Sequence, residues 1–346
     1  MKVKKQDILD ILETVQPGLA NKEIIEQSQS FIFKDKKVLT YNDEISVSCS
    51  IPYLDIEGAV KAEELIKLLN KLKVKEIDIE VTENEFQVHS KSTETGIVLN
   101  TEITLPLDEM NTPKTKDWID LPKHFMEGLK LCIFSASSNE TKPIMNCMKV
   151  RGRFIYSCDN YRVSRYDMGE EALDLFSKTL LLPARVVREL FKYKPIKYAV
   201  TGSWIHFQIE SEKKLDIVFS CRGFEGKYPK VKSLLNVEGF KIKLPAKTKD
   251  VLERASIFAK GQFNQDTEVE VCLKENKMTI LGKGDSGWFK ERMKIDYKGD
   301  QIKFHIHPDF LSDSLNFLDT ITVGQGSIKL ESEKFIHVAC LMAERE

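Results

Sequence analysis

Basic side chains at helical spacing are the residues of this chain whose chemistry stands out. Arg185, Arg188 and Lys192 follow one another at intervals of three and four residues, so they share one face of a predicted helix. Apolar residues such as Val187 and Leu190 occupy the opposite face. Such a row of cations can attract a polyanion such as the phosphate backbone of a nucleic acid, whereas a plain solvated face is the alternative for any single helix.

Net charge is unevenly distributed between the predicted helices and the rest of the chain. The 346 residues carry 52 Lys and Arg against 53 Asp and Glu, a formal charge of −1. Counted as basic minus acidic residues, the helical windows carry 0 (2–13), +3 (61–75), +1 (122–130), +3 (183–194), +2 (245–260) and −3 (308–319), which leaves −7 for the remainder. This segregation predicts that the helices share a surface facing a polyanion, although the sixth window is acidic.

No combination of residues predicts catalysis, a metal or a cofactor. The stretch 282–284, Gly-Lys-Gly, is too short for a phosphate-binding loop and is followed by Asp285, which favours a hairpin turn. His305 and His307 have no cysteine or carboxylate placed to complete a metal site. Cys158 has no histidine nearby in sequence to act as its base. The chain is therefore expected not to be an enzyme.

The composition is that of a soluble globular protein, with 42% hydrophobic and 30% charged residues. No apolar run approaches the roughly 18 residues of a membrane span, and the first ten residues lack the apolar core of a secretory signal. A cytoplasmic protein without membrane contact is therefore expected. Seven cysteines form no CxxC pair, which favours buried, reduced thiols.

Prolines that precede helical patterns recur at a nearly constant interval. Pro122, Pro183, Pro245 and Pro308 are separated by 61, 62 and 63 residues. One period before Pro122 lies Ala62, at the start of another helical pattern, and one period further back lies the N-terminus. Six similar units therefore fill nearly the whole chain.

Each unit combines one helix with about four short strands. Proline fits the first turn of a helix, where its missing N–H has no partner, and apolar residues then follow at helical spacing. Runs of period two come next, over 76–90, 197–211 and 267–282. The first and last of these are broken by the polar pairs 83–84 and 275–276, Glu-Asn in both cases, as hairpin turns require.

The six units are expected to pair into three domains, because about 60 residues cannot close a core alone. The fold class is then α+β, with three tandem domains that are each a pseudo-repeat of two helix-plus-antiparallel-sheet units. Polar stretches at 107–117 and near 234–240 indicate the boundaries. The predicted domains are 1–112, 113–238 and 239–346.

Local sequences of the second and third domains resemble the bacterial-type DNA polymerase sliding clamp, the DNA polymerase III β subunit family. NETKPIMNCMKV (139–150) leading into IYSCDNYRVSRYDM (155–168) is similar to a stretch in which that family has Thr-Asp-Gly-His-Arg-Leu. GKYPKVKSLL (226–235) is similar to its Phe-Pro-Asp-Tyr-Arg-Arg segment, and FIHVACLM (335–342) to its closing strand. Cys, Asn and Tyr at 158, 160 and 161 replace the usual Thr, Gly and His, as in a divergent or viral member.

The resemblance implies three DNA-clamp domains in each chain and a head-to-tail homodimer. Its ring of six domains encircles duplex DNA as a processivity factor in DNA replication. A ring that slides cannot read base edges, so diffuse attraction to phosphates suffices. The implied DNA-binding residues are two loop lysines and seven basic residues of the helical windows: Lys22, Lys142, Lys67, Lys71, Arg185, Arg188, Lys192, Lys247 and Arg254.

The resemblance also implies a hydrophobic pocket between the second and third domains, which captures a linear peptide motif of the DNA polymerase and of the clamp loader. Its positions in this chain are Met145, Cys158, Asn160, Tyr161, Arg162, Val163, Pro229, Leu234, Ser327, Ile336 and Val338. Tyr161 and Arg162 are expected at the rim, and core packing is the alternative for Val163 and Leu234. Deletion from Ile336 onward is expected to remove partner binding without opening the ring.

The implied ring joint uses apolar residues on the helix of the third domain, which here are Ile257 and Phe258, beside acidic residues at 285 and 291. An alternative is a non-ring nucleic-acid-binding or protein-interaction scaffold built from the same repeats. A clamp is expected to be a dimer of near twice 39.7 kDa that holds circular DNA, whereas the scaffold is expected to be a monomer.

Overall fold

The computed structural model describes residues 1–110, 112–139, 141–259 and 267–343. These residues contain six α-helices: α1 (Lys5–Val15), α2 (Ala62–Lys71), α3 (Phe125–Cys132), α4 (Ala184–Leu190), α5 (Thr248–Phe258) and α6 (Pro308–Ser314). The same residues contain 24 strands: β1 (Lys2–Lys4), β2 (Ser30–Lys34), β3 (Lys37–Tyr41), β4 (Ile45–Ser50), β5 (Gly58–Lys61), β6 (Glu76–Val81), β7 (Glu85–Ser90), β8 (Thr93–Asn100), β9 (Ile119–Asp120), β10 (Cys147–Arg151), β11 (Phe154–Cys158), β12 (Arg162–Asp167), β13 (Leu180–Pro183), β14 (Pro195–Thr201), β15 (Trp204–Ile209), β16 (Ile217–Arg222), β17 (Gly239–Lys243), β18 (Val269–Lys274), β19 (Lys277–Gly284), β20 (Gly287–Lys294), β21 (Ile302–Ile306), β22 (Thr320–Gly324), β23 (Ser327–Glu331) and β24 (Phe335–Cys340).

The chain divides into two compact units, of which the first comprises Met1–Leu121 and Arg185–Glu225. Its strands form one sheet in the order β1-β6-β7-β8-β5-β2-β3-β4-β16-β15-β14-β9, and neighbouring strands run antiparallel. α1 packs on β3 and β4, and α2 on β2 and β5. Fully buried side chains at helical spacing, such as Ile8, Leu12 and Val15 of α1, form the stripe that faces the sheet.

The second unit comprises Pro122–Ala184 and Gly226–Glu346 and contains two antiparallel sheets. One has the order β13-β10-β11-β12-β24-β23-β22-β17, and the other has the order β20-β19-β18-β21. α5 packs on β19, β20 and α6, while α3 packs on β11 and β12. β24 is an interior strand, because five residue pairs join it to β12 and five join it to β23.

The predicted second domain, 113–238, is divided between the two compact units, with 113–121 and 185–225 in the first and 122–184 and 226–238 in the second. The reason is hydrogen bonding: β16 pairs with β4 in the first unit, and β12 pairs with β24 in the second. Each part is therefore continuous with the sheet of its own unit. The division into domains at 112 and 238 stays a prediction.

The helices begin near the predicted prolines, with three differences. α6 begins at Pro308 and α2 at Ala62, as predicted. α3 and α5 begin three residues after Pro122 and Pro245, because each proline carbonyl first accepts a hydrogen bond from the residue that starts the helix. The N-terminal window also differs, since residues 2–4 form β1 and only then does α1 begin.

The predicted hairpins are present, and one turn lies further along the chain than expected. Glu275 and Asn276 join β18 to β19 with φ of 50° and 59°, the left-handed backbone that a tight two-residue hairpin needs. The Gly-Lys-Gly stretch ends strand β19, so the turn falls at 285–286. Gly282 allows close approach of α5, since a Cβ there would lie 2.2 Å from the Ala255 carbonyl oxygen.

The cysteines follow the expectation at five of seven positions. Cys49, Cys132, Cys147, Cys158 and Cys221 are buried free thiols, and burial raises the pKa of each. Cys272 is half-buried and Cys340 is exposed. No helix among the described residues is long and apolar enough to span a membrane.

Candidate peptide-binding groove and nucleic-acid interface

An apolar cluster of the second unit contains most of the predicted pocket residues. β11, β12 and β24 are adjacent strands, and their register places Cys158 opposite Val163 and Val163 opposite Val338. All three side chains are buried. Met145 and Ile336 are partly buried against the same cluster. These neighbours across three strands form an apolar layer, the floor, against which Tyr228 and Leu235 pack.

The segment that follows Tyr228 covers one side of this floor. Tyr228 and Leu235 are buried in the cluster, whereas Pro229 is half-buried. A 3₁₀-helix over Lys232–Leu235 turns Leu234 outward, so that 57% of its surface is exposed. Leu235 therefore packs in the core, and Leu234 is available to a partner. An exposed leucine beside an apolar floor is suited to line an open pocket.

A cavity of about 710 Å³ lies in the same unit, and its lining includes the predicted pocket residues Asn160, Tyr161 and Arg162. Its walls come from residues 136–139, from the turn 159–162, from the start of α6 and from the chain after β24. Asn160 and Tyr161 line it and are exposed. Ser327 is half-buried on β23, where it pairs with Cys340, which also lines the cavity. We refer to this cavity and the adjoining apolar floor as the groove.

Arg162 differs from the rim position that was expected, because it is enclosed. Its Nε donates to Oδ2 of Asp159 over 3.1 Å, and its Nη1 donates to Oδ2 of Asp313 over 2.9 Å. The guanidinium also lies over the ring of Phe310, 4.5 Å from the centroid. Only 12% of the side chain is exposed. Arg162 therefore joins the turn to α6 through charge-assisted hydrogen bonds and a cation–π contact.

The turn that carries these residues is shaped by Asp159. Its Oδ1 accepts hydrogen bonds from the backbone N–H groups of Tyr161 and Arg162 over 2.7 and 2.6 Å. Such a short-range side-chain bond to the backbone fixes a tight turn. The aspartate is thus the residue that presents Tyr161 to the groove.

Two aromatic groups of the groove were missed by the sequence reasoning. The Phe310 ring of α6 stacks on His307 at 4.7 Å between centroids and lies 5.9 Å from that of Tyr161. Nδ1 of His307 accepts a hydrogen bond from the backbone N–H of Asp309 and so caps α6. The sequence feature that could have indicated a role for Phe310 is its spacing of three residues from Asp313, which places both on one helical face.

The buried polar groups of the floor are neutral at neutral pH, and one cation, Lys149, lies over the Tyr228 ring at 5.8 Å. Burial raises the pKa of the Cys158 thiol and of the Tyr228 phenol, which keeps both protonated. His337 lies on the opposite face of β24, against Ser135 and Ser164, where burial lowers its pKa to about 3 and keeps its ring neutral. The apolar lining and neutral polar groups suit a segment anchored by apolar side chains.

The nine predicted DNA-binding residues are all exposed, but several are paired with acids. Lys67 pairs with Glu63, Arg185 with Glu44, Lys192 with Glu189 at 2.5 Å, and Arg254 with Glu291 at 2.7 Å. Lys142 donates to Oδ1 of Asn160 over 2.9 Å. In the described part of the chain, Lys22, Lys71, Arg188 and Lys247 form no ion pair.

The helical assignment of two basic residues is corrected. α4 ends at Leu190, and Lys192 lies in the turn that follows, where its N–H bonds to the Glu189 carbonyl. Arg185 and Arg188 thus remain the basic pair on α4. Lys247 precedes the first turn of α5. Exposed charges one turn apart on a packed helix can still attract phosphates collectively.

The end of α5 and strand β20 form an exposed apolar surface of the second unit. Ile257 is exposed, and Phe258 stacks on Phe289 at 6.5 Å. Trp288 of β20, a residue that the sequence reasoning missed, is 67% exposed. Among the pairings of the described residues, β20 is joined to β19 on one side and has a free edge on the other. An unpaired edge with a large exposed aromatic residue is typical of an interface.

Comparisons with known proteins support the fold over the full chain. No protein-family model matches it, and no curated protein matches it in sequence. The β subunit of DNA polymerase from Streptococcus pyogenes is 19% identical with a TM-score of 0.83, and each chain covers 99% of the other. The sliding clamp of Bacillus subtilis is 18% identical with a TM-score of 0.81 and the same coverage. A Bartonella birtlesii sliding clamp bound to griselimycin is 14% identical with a TM-score of 0.84, again with 99% of each chain covered. The chain therefore has the fold of the DNA polymerase sliding clamps, and the predicted fold class is confirmed.

Proposed function

We propose that this protein is a sliding clamp: a ring-shaped homodimer that encircles duplex DNA and tethers a replicative DNA polymerase. The observation that carries the proposal is the match of 99% of the chain to solved sliding clamps. The proposed role is that of a processivity factor in the cytoplasm, which requires no reaction at the protein. Clamps act by position, so exposed cations, a groove for linear peptides and a free sheet edge are the features that this function needs.

The experiment that tests the ring is retention on DNA of different topology. A loaded ring is expected to stay on nicked circular DNA and to leave the same DNA once it is linearised. If blocking the ends of the linear DNA prevents this loss, the result supports encirclement. Equal retention on circular and linear DNA contradicts it and favours the scaffold built from the same repeats.

For DNA contact, we propose that the exposed basic residues act through diffuse attraction. A protein that neutralises phosphates releases counterions, so its affinity falls with salt by a slope of about 0.9 per phosphate contact. Arg185 and Arg188 lie one turn apart on α4 and are the best placed pair. Two of the three acids of α1 add little repulsion, because Lys213 pairs with Asp7 and Asp10 at 3.2 and 2.7 Å.

Arg185→Ala combined with Arg188→Ala is expected to weaken duplex binding and to lower the salt slope by about 2, because two phosphate contacts are lost. Fluorescence anisotropy with a labelled duplex at several salt concentrations measures both quantities. Lys34→Ala combined with Lys91→Ala is the control, since these exposed lysines of the same unit lie outside the helices. A slope that the α4 variant leaves unchanged contradicts the assignment.

For recruitment, we propose that the groove of the second unit binds a linear peptide of the polymerase, and of the clamp loader in turn. The support is the apolar floor of Cys158, Val163 and Val338, with exposed Leu234 beside it and Tyr161 at the cavity. A few buried apolar anchors supply most of the energy in such contacts. The other predicted pocket residues, Met145, Asn160, Pro229, Ser327 and Ile336, lie around this floor and cavity.

Leu234→Asp is expected to weaken binding of a polymerase-derived peptide by about 1–3 kcal/mol, since one apolar wall is replaced by a charge. Isothermal titration calorimetry measures this difference. Leu173→Asp is a matched control, because Leu173 is 56% exposed in the same unit and lies outside the groove. Equal losses in both variants, or none in the first, contradict peptide capture at this site.

For assembly, we propose a head-to-tail homodimer in which the surface of Ile257, Phe258 and Trp288 meets the first unit of a second copy. In the described pairings, residues 93–98 of β8 are joined only to β7, so this segment of the first unit also has a free edge. Val98 on it is exposed. Two free edges on one chain can pair between copies, and two such joints close a dimeric ring.

A further inference from the structure

The geometry points to a partner segment that carries a lysine or arginine beside its apolar anchors. This inference rests on the peptide recruitment proposed above and concerns the residue preference of the same groove. It is carried by the charges that line the cavity, their pairing and their exposure.

The cavity is large enough for several side chains and has an aromatic wall. Its volume is about 710 Å³, and Tyr161, Phe310, Leu341 and Met342 contribute apolar surface to it. Phe310 is held in place by His307 on one side and by the Arg162 guanidinium at 4.5 Å. This wall can contact the apolar stem of a long side chain of the partner, while the charged end of that side chain reaches the mouth of the cavity.

The charged residues among the described lining of the cavity are predominantly acidic. Asp159, Asp309 and Asp313 contribute three carboxylates, and Arg162 contributes one cation. The formal charge of these four residues is −2. Lys142 lies outside the lining and bonds to Asn160. Counting its charge as well leaves these five described residues at −1, so they favour an incoming cation over an anion.

Arg162, the cation among the described lining residues, cannot serve as an anchor for an acidic partner residue. Arg162 is bonded to Asp159 and Asp313, lies over Phe310 and is only 12% exposed. By contrast, the Asp309 side chain is 73% exposed, and Asp313 is partly exposed. Of the described lining residues, a partner therefore meets the carboxylates of Asp309 and Asp313 and not the enclosed guanidinium of Arg162. Asp309 also lies in the first turn of α6, where it stabilises the helix, and the experiment must separate that role from peptide preference.

A display library of random decapeptides selected against the full-length protein provides the probes. Binding sequences are expected to carry Lys or Arg next to their apolar anchors more often than Asp or Glu. The strongest binder and its Lys→Glu or Arg→Glu version are then compared by calorimetry. The basic version is expected to bind about tenfold more tightly at low salt, with a smaller ratio at high salt.

Asp309→Asn is the diagnostic variant, because it removes an exposed charge and leaves the Arg162 pairs intact. In this variant the ratio of the affinity for the basic peptide to the affinity for the acidic peptide is expected to fall at least threefold. Asp309→Lys is expected to reverse the preference, so that the acidic peptide binds more tightly. Asp174→Asn, an exposed acid of the same unit outside the groove, is expected to leave the ratio unchanged. Thermal unfolding of each variant measures the helix role separately.

The outcomes separate this inference from the proposed recruitment. Binding that Leu234→Asp abolishes but that shows no preference between basic and acidic peptides overturns the inference alone. A preference that Asp309→Asn and Asp309→Lys leave unchanged also overturns it. If no selected peptide binds, or if Leu234→Asp has no effect on any of them, peptide recruitment at the groove fails and the inference fails with it.

Discussion

A chain that ends at Phe335 is expected to lose the cooperative fold of its second unit. The deletion removes residues 336–340 of β24, which lies between β12 and β23 with five paired residues on each side. It also removes the buried side chains His337, Val338 and Ala339. Unpaired interior strands and the lost apolar burial together cost more than about 5 kcal/mol, which is comparable to the whole stability of a typical domain.

Thermal unfolding followed by circular dichroism measures this effect, and hydrogen exchange locates it. Exchange protection is expected to disappear from β12 and β23 and to persist in the strands of the first unit. The control is a chain that ends at Met342, which keeps all of β24. An unchanged melting temperature for the chain ending at Phe335 would contradict the role of β24 as an interior strand.

This expectation replaces the sequence-based one, in which deletion from Ile336 removes partner binding and leaves the ring intact. The sequence shows that Ile336 and Val338 alternate along a strand, but not that the strand has neighbours on both sides. Loss of binding in this truncation therefore cannot be assigned to the groove. Point substitutions such as Leu234→Asp are the informative variants for peptide capture.

Local features of the fold could be predicted because they depend on neighbouring residues. The helical spacing after Ala62 and the polar pair at 275–276 gave the start of α2 and a hairpin turn in their observed places. The prolines were less exact markers. Pro122 and Pro245 form the turn before a helix instead of its first residue, since their carbonyls accept hydrogen bonds from the residues three positions later.

Features of the groove that depend on distant residues could not be predicted in this way. Arg162 and Asp313 are 151 positions apart, and their ion pair converts an expected rim residue into an enclosed one. The contact of Phe310 with Tyr161 likewise joins separate segments. The resemblance supplied the positions of the apolar floor, whereas the enclosure of Arg162 and the exposed Asp309 follow only from the packing.

The positive charge of the helical windows is partly neutralised when the contacts of each basic residue are considered. Four of the nine basic residues form ion pairs with carboxylates. In three of these pairs the carboxylate lies on the helix that the basic residue belongs to or follows, or on a strand packed against that helix. Surface pairs of this kind contribute about 0–1 kcal/mol and can exchange a carboxylate for a phosphate. The net charge of a helix therefore underestimates how many of its cations can contact phosphates once a polyanion is present.

Ile257→Asp combined with Trp288→Asp is expected to convert a dimer of near twice 39.7 kDa into a 39.7 kDa monomer. Both side chains are exposed in the single chain, at the end of α5 and on the free edge of β20. Burying each one at a joint is worth about 1.5–3 kcal/mol, and a closed dimer contains two joints, so the loss counts twice. The buried carboxylates add a desolvation cost. Sedimentation velocity measures the mass, and retention on circular DNA is expected to disappear with the dimer.

Phe240→Asp is the matched control for this interface. Phe240 is 65% exposed on β17, which is also an edge strand of the second unit, but it lies outside the α5 and β20 surface. This variant is expected to remain dimeric, because the joint needs that surface and not apolar exposure in general. Unfolding curves of both variants should resemble that of the parent chain, since none of the three residues is buried. A dimer that persists in Ile257→Asp with Trp288→Asp, or dissociation of Phe240→Asp to the same extent, would place the joint elsewhere on the chain.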